Sequence, residues 1–128
     1  MNQLQYQIVA TRRQGFDSIL WQVPAFGLAA QGFLISSALE KDIDNNISAV
    51  AFLFSFFVGI GVILLFRALR MREVYDSELL RKHESEQPEL TVIHGVRLNK
   101  ISMYYVWIAI LYLFSISALV GSIVRFDR

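Results

Sequence analysis

The sequence lacks cysteine and is poor in charged residues. With no cysteine in its 128 residues, the chain forms no disulfide and offers no thiolate ligand to a metal. Charged residues make up 18% of the chain, against about 25% in an average soluble domain. The formal net charge is +1 and no basic stripe interleaved with aromatic residues occurs. The composition therefore predicts no nucleic-acid partner.

The few charges are also unevenly distributed. Three blocks contain no Asp, Glu, Lys, Arg or His: residues 18–39, 45–66 and 101–124. About 20 mostly apolar residues, at about 1.5 Å rise per residue, cross the roughly 30 Å hydrocarbon core of a bilayer. A soluble bundle of fully buried helices is the alternative, and three blocks of this length disfavour it. We therefore predict an all-α membrane protein with transmembrane helices at 18–39, 47–66 and 101–124.

The segments outside these spans complete the predicted domain, which covers residues 1–128. Residues 1–17 are expected to form a short interfacial helix, with a kink at Pro24, where proline removes one backbone donor. After Phe66 no proline occurs before Pro88, and the residues between are good helix formers. We therefore expect the second helix to extend into the cytoplasm, within a helix and linker at 67–100.

Basic residues predict the orientation of the spans. Nine Lys and Arg residues fall in 1–17 and 67–100, and three fall in 40–46 and 125–128. By the positive-inside rule, the N-terminus is cytoplasmic, and the loop 40–46 and the C-terminal tail 125–128 are periplasmic. We therefore expect the protein to lie in a bacterial inner membrane. A twin-arginine export signal is the alternative reading of the arginine pair, but the apolar run exceeds the roughly 7–15 residues of a signal core.

The first span carries a regular stripe of small and polar residues. Helices in a membrane associate where small residues let their backbones approach and polar groups bond across. The stripe, called the first-span seam below, is therefore predicted to be a helix-packing face or to line a lumen. Its members follow spacings of 4, 3, 4, 3 and 4 and share one helix face: Ser18, Gln22, Ala25, Ala29, Gly32 and Ser36.

Gln31 lies on the opposite side of the first span from this seam. Each amide is most simply read as one interhelical hydrogen bond, worth about 0.6–2 kcal/mol. Two packing faces on one span call for two neighbours, and the chain has only two other spans to supply them. The pattern therefore indicates contact with another subunit or with a wet lumen.

The other two spans contain packing positions of the same kind. In the second span, Ser55 and Gly59 form a pair of small residues four positions apart. The third span repeats the heptad spacing from Tyr104 to Ser122, and its outer half is again small. The candidate packing positions of the third span are Ser115, Ala118 and Ser122.

The sequence contains no recognisable catalytic or metal-binding pattern. It has no glycine-rich phosphate loop, no HExxH and no GxSxG motif. His83 and His94 lack a ligand-spaced cluster and are expected to be solvated. The three blocks hold no ionisable group, which disfavours a proton pump or an ion-coupled transporter. We therefore expect no enzyme activity, no cofactor and no metal.

The first span resembles a known family. An arginine and an aspartate before "LWQVPA", followed by "AAQGFL", are similar to the RipA family of small bacterial inner-membrane proteins across residues 12–39. That resemblance implies an octameric ring with cytoplasmic helices and a central pore. A pore-forming membrane protein of RNA-targeting CRISPR loci is of similar size and is also an octameric ring. The resemblance supplies no catalytic residue.

Two functions follow as hypotheses. The first is a homo-oligomeric inner-membrane protein that forms a ring-shaped pore or permeabilises the membrane. The second is an accessory subunit that packs against a larger membrane complex, in which case the same small-residue faces contact a different protein. In both, the lipid bilayer is the surrounding partner.

Overall fold

All regular secondary structure in the described part of the chain is helical. A computed structural model describes residues 1–87 and 103–128, which form three helices: α1, Gln3–Ala38; α2, Asn45–Glu86; and α3, Met103–Phe126. Each of the three contains a stretch long and apolar enough to cross a membrane. Most side chains in these stretches are not buried within the chain, as expected where lipid covers them. The predicted all-α protein with three membrane-spanning lengths of helix is confirmed at this level.

Side-chain caps mark where the first two helices begin. Asn2 and Gln5 cap α1 reciprocally: Gln5 N donates to Asn2 Oδ1 at 2.8 Å, and Asn2 N donates to Gln5 Oε1 at 3.1 Å. At the start of α2, Asp44 Oδ1 accepts from Asn46 N at 2.7 Å. These bonds satisfy amide groups that have no partner within their own helix, so a polar side chain stabilises the start of each helix.

Helix α1 differs from its prediction. Residues Gln3 to Ala38 form a single helix, so a separate short interfacial helix is not confirmed. Pro24 is buried within α1 and does not end it. Proline is tolerated in membrane helices, where neighbouring groups compensate for the lost donor. The kink itself stays a prediction.

Helix α2 continues beyond its apolar part to Glu86. The side of the membrane on which residues 67–86 lie stays a prediction. Helix α3 covers most of the predicted third span and ends slightly later, at Phe126. The predicted linker at 88–100 and residues 101–102 lie outside the described residues, as does His94.

The chain divides into two compact units. The first unit combines Met1–Gln22 with Phe66–Lys100, of which residues 66–87 are described, and its buried apolar residues include Leu20, Phe66 and Leu80. The second unit combines Val23–Leu65 with Ile101–Arg128. Its apolar core contains Ala38, Phe52 and Ala118, with Ile35, Ala51 and Phe56 packed against them.

Candidate functional site

A buried amide joins the three helices of the second unit. Gln31 on α1 is fully buried, and its Nε2 donates to the main-chain oxygen of Ser55 on α2 at 3.2 Å. The same nitrogen donates to Ser115 Oγ on α3 at 3.2 Å. Ser115 in turn donates to the main-chain oxygen of Leu111 at 2.8 Å. Gln31 is therefore an interhelical hydrogen-bonding group inside the chain.

Gly59 makes room for this amide. A Cβ atom added at Gly59 would overlap both Ser115 Oγ and Gln31 Nε2. A side chain of any size there would push the amide and the hydroxyl out of their hydrogen-bonding positions. The predicted pair of small residues, Ser55 and Gly59, therefore contacts the other two helices of this unit.

The cluster contains polar atoms that the described residues leave unpaired. Gln31 Oε1 and Ser55 Oγ are buried and have no hydrogen-bond partner within residues 1–87 and 103–128. A buried polar atom without a partner costs about 1–3 kcal/mol. These two unpaired atoms therefore offset part of the stability that the Gln31 hydrogen bonds contribute.

The candidate packing positions of the third span are buried inside the second unit. Ser115, Ala118 and Ser122 are buried. Ser122 Oγ donates to the main-chain oxygen of Ala49 at 3.0 Å, which bonds the end of α3 to the start of α2. Ser48 Oγ donates to the main-chain oxygen of Ala38 and so bonds α2 to α1. Short hydroxyl side chains thus join each pair of neighbouring helices.

The first-span seam has a different environment. In the first unit, Ser18 and Gln22 are exposed. In the second unit, Ala25, Ala29 and Ser36 are exposed, and a Cβ atom at Gly32 would meet nothing within 4 Å. The described helices therefore pack on the Gln31 side of α1 and leave the seam without an intrachain partner.

A second polar cluster, which the sequence analysis did not find, lies in the first unit. Asp76 on α2 is 2% exposed, and Arg12 on α1 binds both of its carboxylate oxygens, with Nε to Oδ2 at 2.8 Å and Nη2 to Oδ1 at 2.6 Å. One turn earlier, buried Glu73 accepts from Arg13 Nη2 at 3.1 Å and from Arg70. The two carboxylates thus bind the arginine pair of α1.

The same cluster continues towards the N-terminus of α1. Tyr6 Oη donates to Glu84 Oε1 at 2.9 Å, and the Tyr6 ring lies 5.1 Å from the ring of His83 between centroids. His83 is 9% exposed, so the expectation of a solvated histidine was wrong. The spacing of Glu73, Asp76, Leu80 and His83, three, four and three positions, was the available signal, since it places them on one helix face.

Two pKa shifts follow from these contacts. Partial burial, the hydrogen bond to Glu84 and the charge of Glu84 raise the pKa of Tyr6 above its ordinary value of 10.0. The hydrogen bond to Asp76 and the Asp76 charge raise the pKa of Arg12. Because a raised pKa favours the protonated form in the fold, both contributions are fully present at neutral pH. The Tyr6 contribution is lost only as the pH rises through its raised pKa.

The site offers no evident chemistry of its own. In the described residues no group of three or more His, Cys, Asp or Glu side chains is placed to hold a metal ion. Comparison with protein-family models, curated proteins and solved structures finds no match for this chain. The resemblance to the RipA family and the expected lack of enzyme activity therefore stay predictions.

The Gly59 contact predicts a stability difference between two glycines of α2. Gly59→Ala should lower the free energy of unfolding by about 1–3 kcal/mol, because the amide and Ser115 must move apart. Gly61→Ala is the matched control, since a Cβ there meets nothing within 4 Å and alanine favours helix. The measurement is reversible unfolding in mixed micelles. Equal effects at both positions would contradict the assigned role of Gly59.

The Arg12–Asp76 pair predicts how firmly α1 is held in the first unit. Arg12→Ala leaves a buried carboxylate without its cation and should weaken local structure by about 1–2 kcal/mol, a value reduced because Arg12 is half exposed. Hydrogen exchange of residues 3–17 should become faster. Lys82→Ala, at an exposed position without an ion pair in the described residues, should leave the exchange unchanged. If the amides of residues 3–17 exchange at the same rate in both variants, the Arg12–Asp76 ion pair does not stabilise this segment.

Proposed function

We propose that this chain is a subunit of a homo-oligomeric membrane assembly whose subunits contact one another through the first-span seam. The observation that carries this proposal is the exposure of the seam, set against the complete burial of Gln31 on the other side of α1. The intrachain helices use one of the two packing faces of α1. The second face is available to another copy.

The residues beside the seam support this assignment by contrast. Phe26 and Phe33 on α1 are 72% and 73% exposed. Large apolar side chains of this kind suit contact with lipid tails. Small residues gain little from lipid contact, and their advantage appears when another helix approaches closely. A stripe of Ala, Gly and Ser beside large apolar side chains is thus suited to a helix partner.

Gln22 supports the same conclusion. Its side chain is exposed and makes no hydrogen bond within the described residues. An amide facing hydrocarbon without a partner is unfavourable by several kcal/mol on water-to-alkane scales, about 4–8 for such groups. A neighbouring subunit or the water of a lumen would supply the missing partners. This amide and the resemblance of residues 12–39 to an octameric family support extending the proposal to a ring with a central pore.

The assembly predicts opposite behaviour of two adjacent alanines. Ala29 belongs to the seam, whereas Ala30 is also exposed but lies about 100° further round the helix. Ala29→Leu should separate the helix backbones and shift the detergent-purified protein towards monomer. Ala30→Leu adds the same bulk and should leave the assembly intact. Gly32→Leu should act like Ala29→Leu, since a Cβ atom there meets no atom of the described residues within 4 Å.

The measurement is the mass of the purified complex, by light scattering corrected for detergent or by native mass spectrometry. An integer multiple of the subunit mass is expected for the wild type. A wild-type monomer would overturn the proposal. Co-purification of a different protein in fixed ratio would favour the accessory-subunit function instead.

The proposed orientation places the N-terminus in the cytoplasm and the C-terminus in the periplasm of an inner membrane. A reporter that is active only in the periplasm should give activity when inserted at Asp44 and none at Glu86. The reason is that nine of the twelve Lys and Arg residues fall on the proposed cytoplasmic side. The reverse pattern of activity would show that the topology is inverted.

A further inference from the structure

The surface of the first unit contains an open depression with two arginines in its wall. Its volume is about 410 Å³, and α1 and α2 both contribute residues. The lining residues are two cations, one carboxylate and three large apolar or aromatic side chains: Arg12, Arg72, Asp76, Phe16, Met71 and Tyr75. Cationic groups beside exposed apolar surface form an amphipathic site.

The positions of the two arginines along their helices determine how far they lie from the hydrocarbon core of the membrane. Arg12 lies six positions before the charge-free block 18–39, and Arg72 lies six positions after the block 45–66. At about 1.5 Å per residue, both Cα atoms are about 9 Å beyond the apolar stretch. The headgroup region on each side of a bilayer is about 5–8 Å thick, within reach of a long arginine side chain. Both guanidinium groups can therefore reach headgroup depth.

Arg12 is oriented before any ligand arrives. Asp76 accepts one hydrogen bond from Nε and one from Nη2 of Arg12. A guanidinium has five N–H donors, so three remain for a ligand. The Arg12 side chain is 49% exposed and that of Asp76 only 3%, so the cation, and not the carboxylate, faces the solvent.

Asp76 pairs with Arg12, so the positive charge of Arg72 is the one that Asp76 does not neutralise. The guanidinium carbon of Arg72 lies 6.0 Å from the centroid of the Phe16 ring, and no carboxylate within the described residues pairs with it. Beside it, Met71 and Tyr75 are 73% and 62% exposed. An anionic group bound between the two arginines would thus have large apolar side chains next to it.

We propose that this depression binds the headgroup phosphate of an anionic phospholipid. Arg12 and Arg72 donate hydrogen bonds to the phosphate oxygens, and Met71 and Tyr75 contact the glycerol and the first methylene groups of the acyl chains. Arginine suits this role because its planar fork matches two phosphate oxygens. The apolar neighbours distinguish a lipid from free phosphate, which has no apolar part for them to contact.

The test measures binding of phosphatidylglycerol to the full-length protein in a neutral detergent, by thermal shift and by native mass spectrometry. Phosphatidylglycerol should raise Tm, whereas phosphatidylcholine with the same acyl chains and inorganic phosphate should not. Arg72→Gln should weaken phosphatidylglycerol binding about fivefold, the contribution expected of one arginine near an anionic surface. This variant is informative because Arg72 is exposed and makes no hydrogen bond or ion pair within the described residues, so its replacement should leave the fold intact.

Arg81→Gln is the matched control. It removes the same charge from an exposed position about 22 Å beyond the apolar stretch, so it should leave binding unchanged. Equal weakening by Arg72→Gln and Arg81→Gln would show that binding depends on net charge alone, and this result would overturn the proposed site. An equal Tm shift with inorganic phosphate, or with phosphatidylcholine, would overturn the assignment to an anionic lipid.

Discussion

The hydrogen bonds of the Gln31 amide are the interaction on which the packing of the second unit depends. One nitrogen contacts an acceptor on α2 and an acceptor on α3, so a single side chain constrains three helices. A membrane interior has no water to replace these partners, and a shift of any helix would leave the amide unpaired. The backbones must also stay close enough for the amide to reach both. Gly59 and Ser115 allow that approach because neither has a bulky side chain.

Hydrophobic periodicity could predict the helices and their packing faces, but not which face meets which neighbour. The spacing of Ser115, Ala118 and Ser122 places them on one face of α3, and all three are buried. On α1 the sequence showed two candidate faces, one with Gln31 and one with Gln22. Both contain small residues and an amide, so composition could not rank them. The choice is made by complementarity with Ser55, Gly59 and Ser115, and such matching between distant segments is not visible in local spacing.

The first unit shows a different limit of sequence reasoning. The sequence predicts that residues 67–86 extend the second helix beyond the membrane, but it does not predict that Glu73, Asp76 and Glu84 are buried. Charged residues usually indicate an exposed helix face. A buried carboxylate is tolerated only when a partner group binds it, so its burial can be predicted only when that partner is known. Here the partners on α1 are Arg12, Arg13 and Tyr6, which are 60 or more residues away in the chain. From the sequence, the arginine pair is explained by the positive-inside rule or by an export signal. Arg12 also binds a buried carboxylate, so topology and packing constrain the same residue.

The distribution of small residues among the three helices determines where an assembly can form. On α3 the small residues 115, 118 and 122 are buried inside the chain. The exposed side of α3 consists of large residues such as Leu113, Ile116 and Val120. On α2 the exposed side is dominated by Phe54, Phe57 and Leu64. These surfaces gain about as much from lipid as from another helix. Within the described residues, a continuous exposed stripe of small and polar residues occurs on α1. Because close backbone approach is the main source of helix affinity in a bilayer, contact between subunits would be most favourable there.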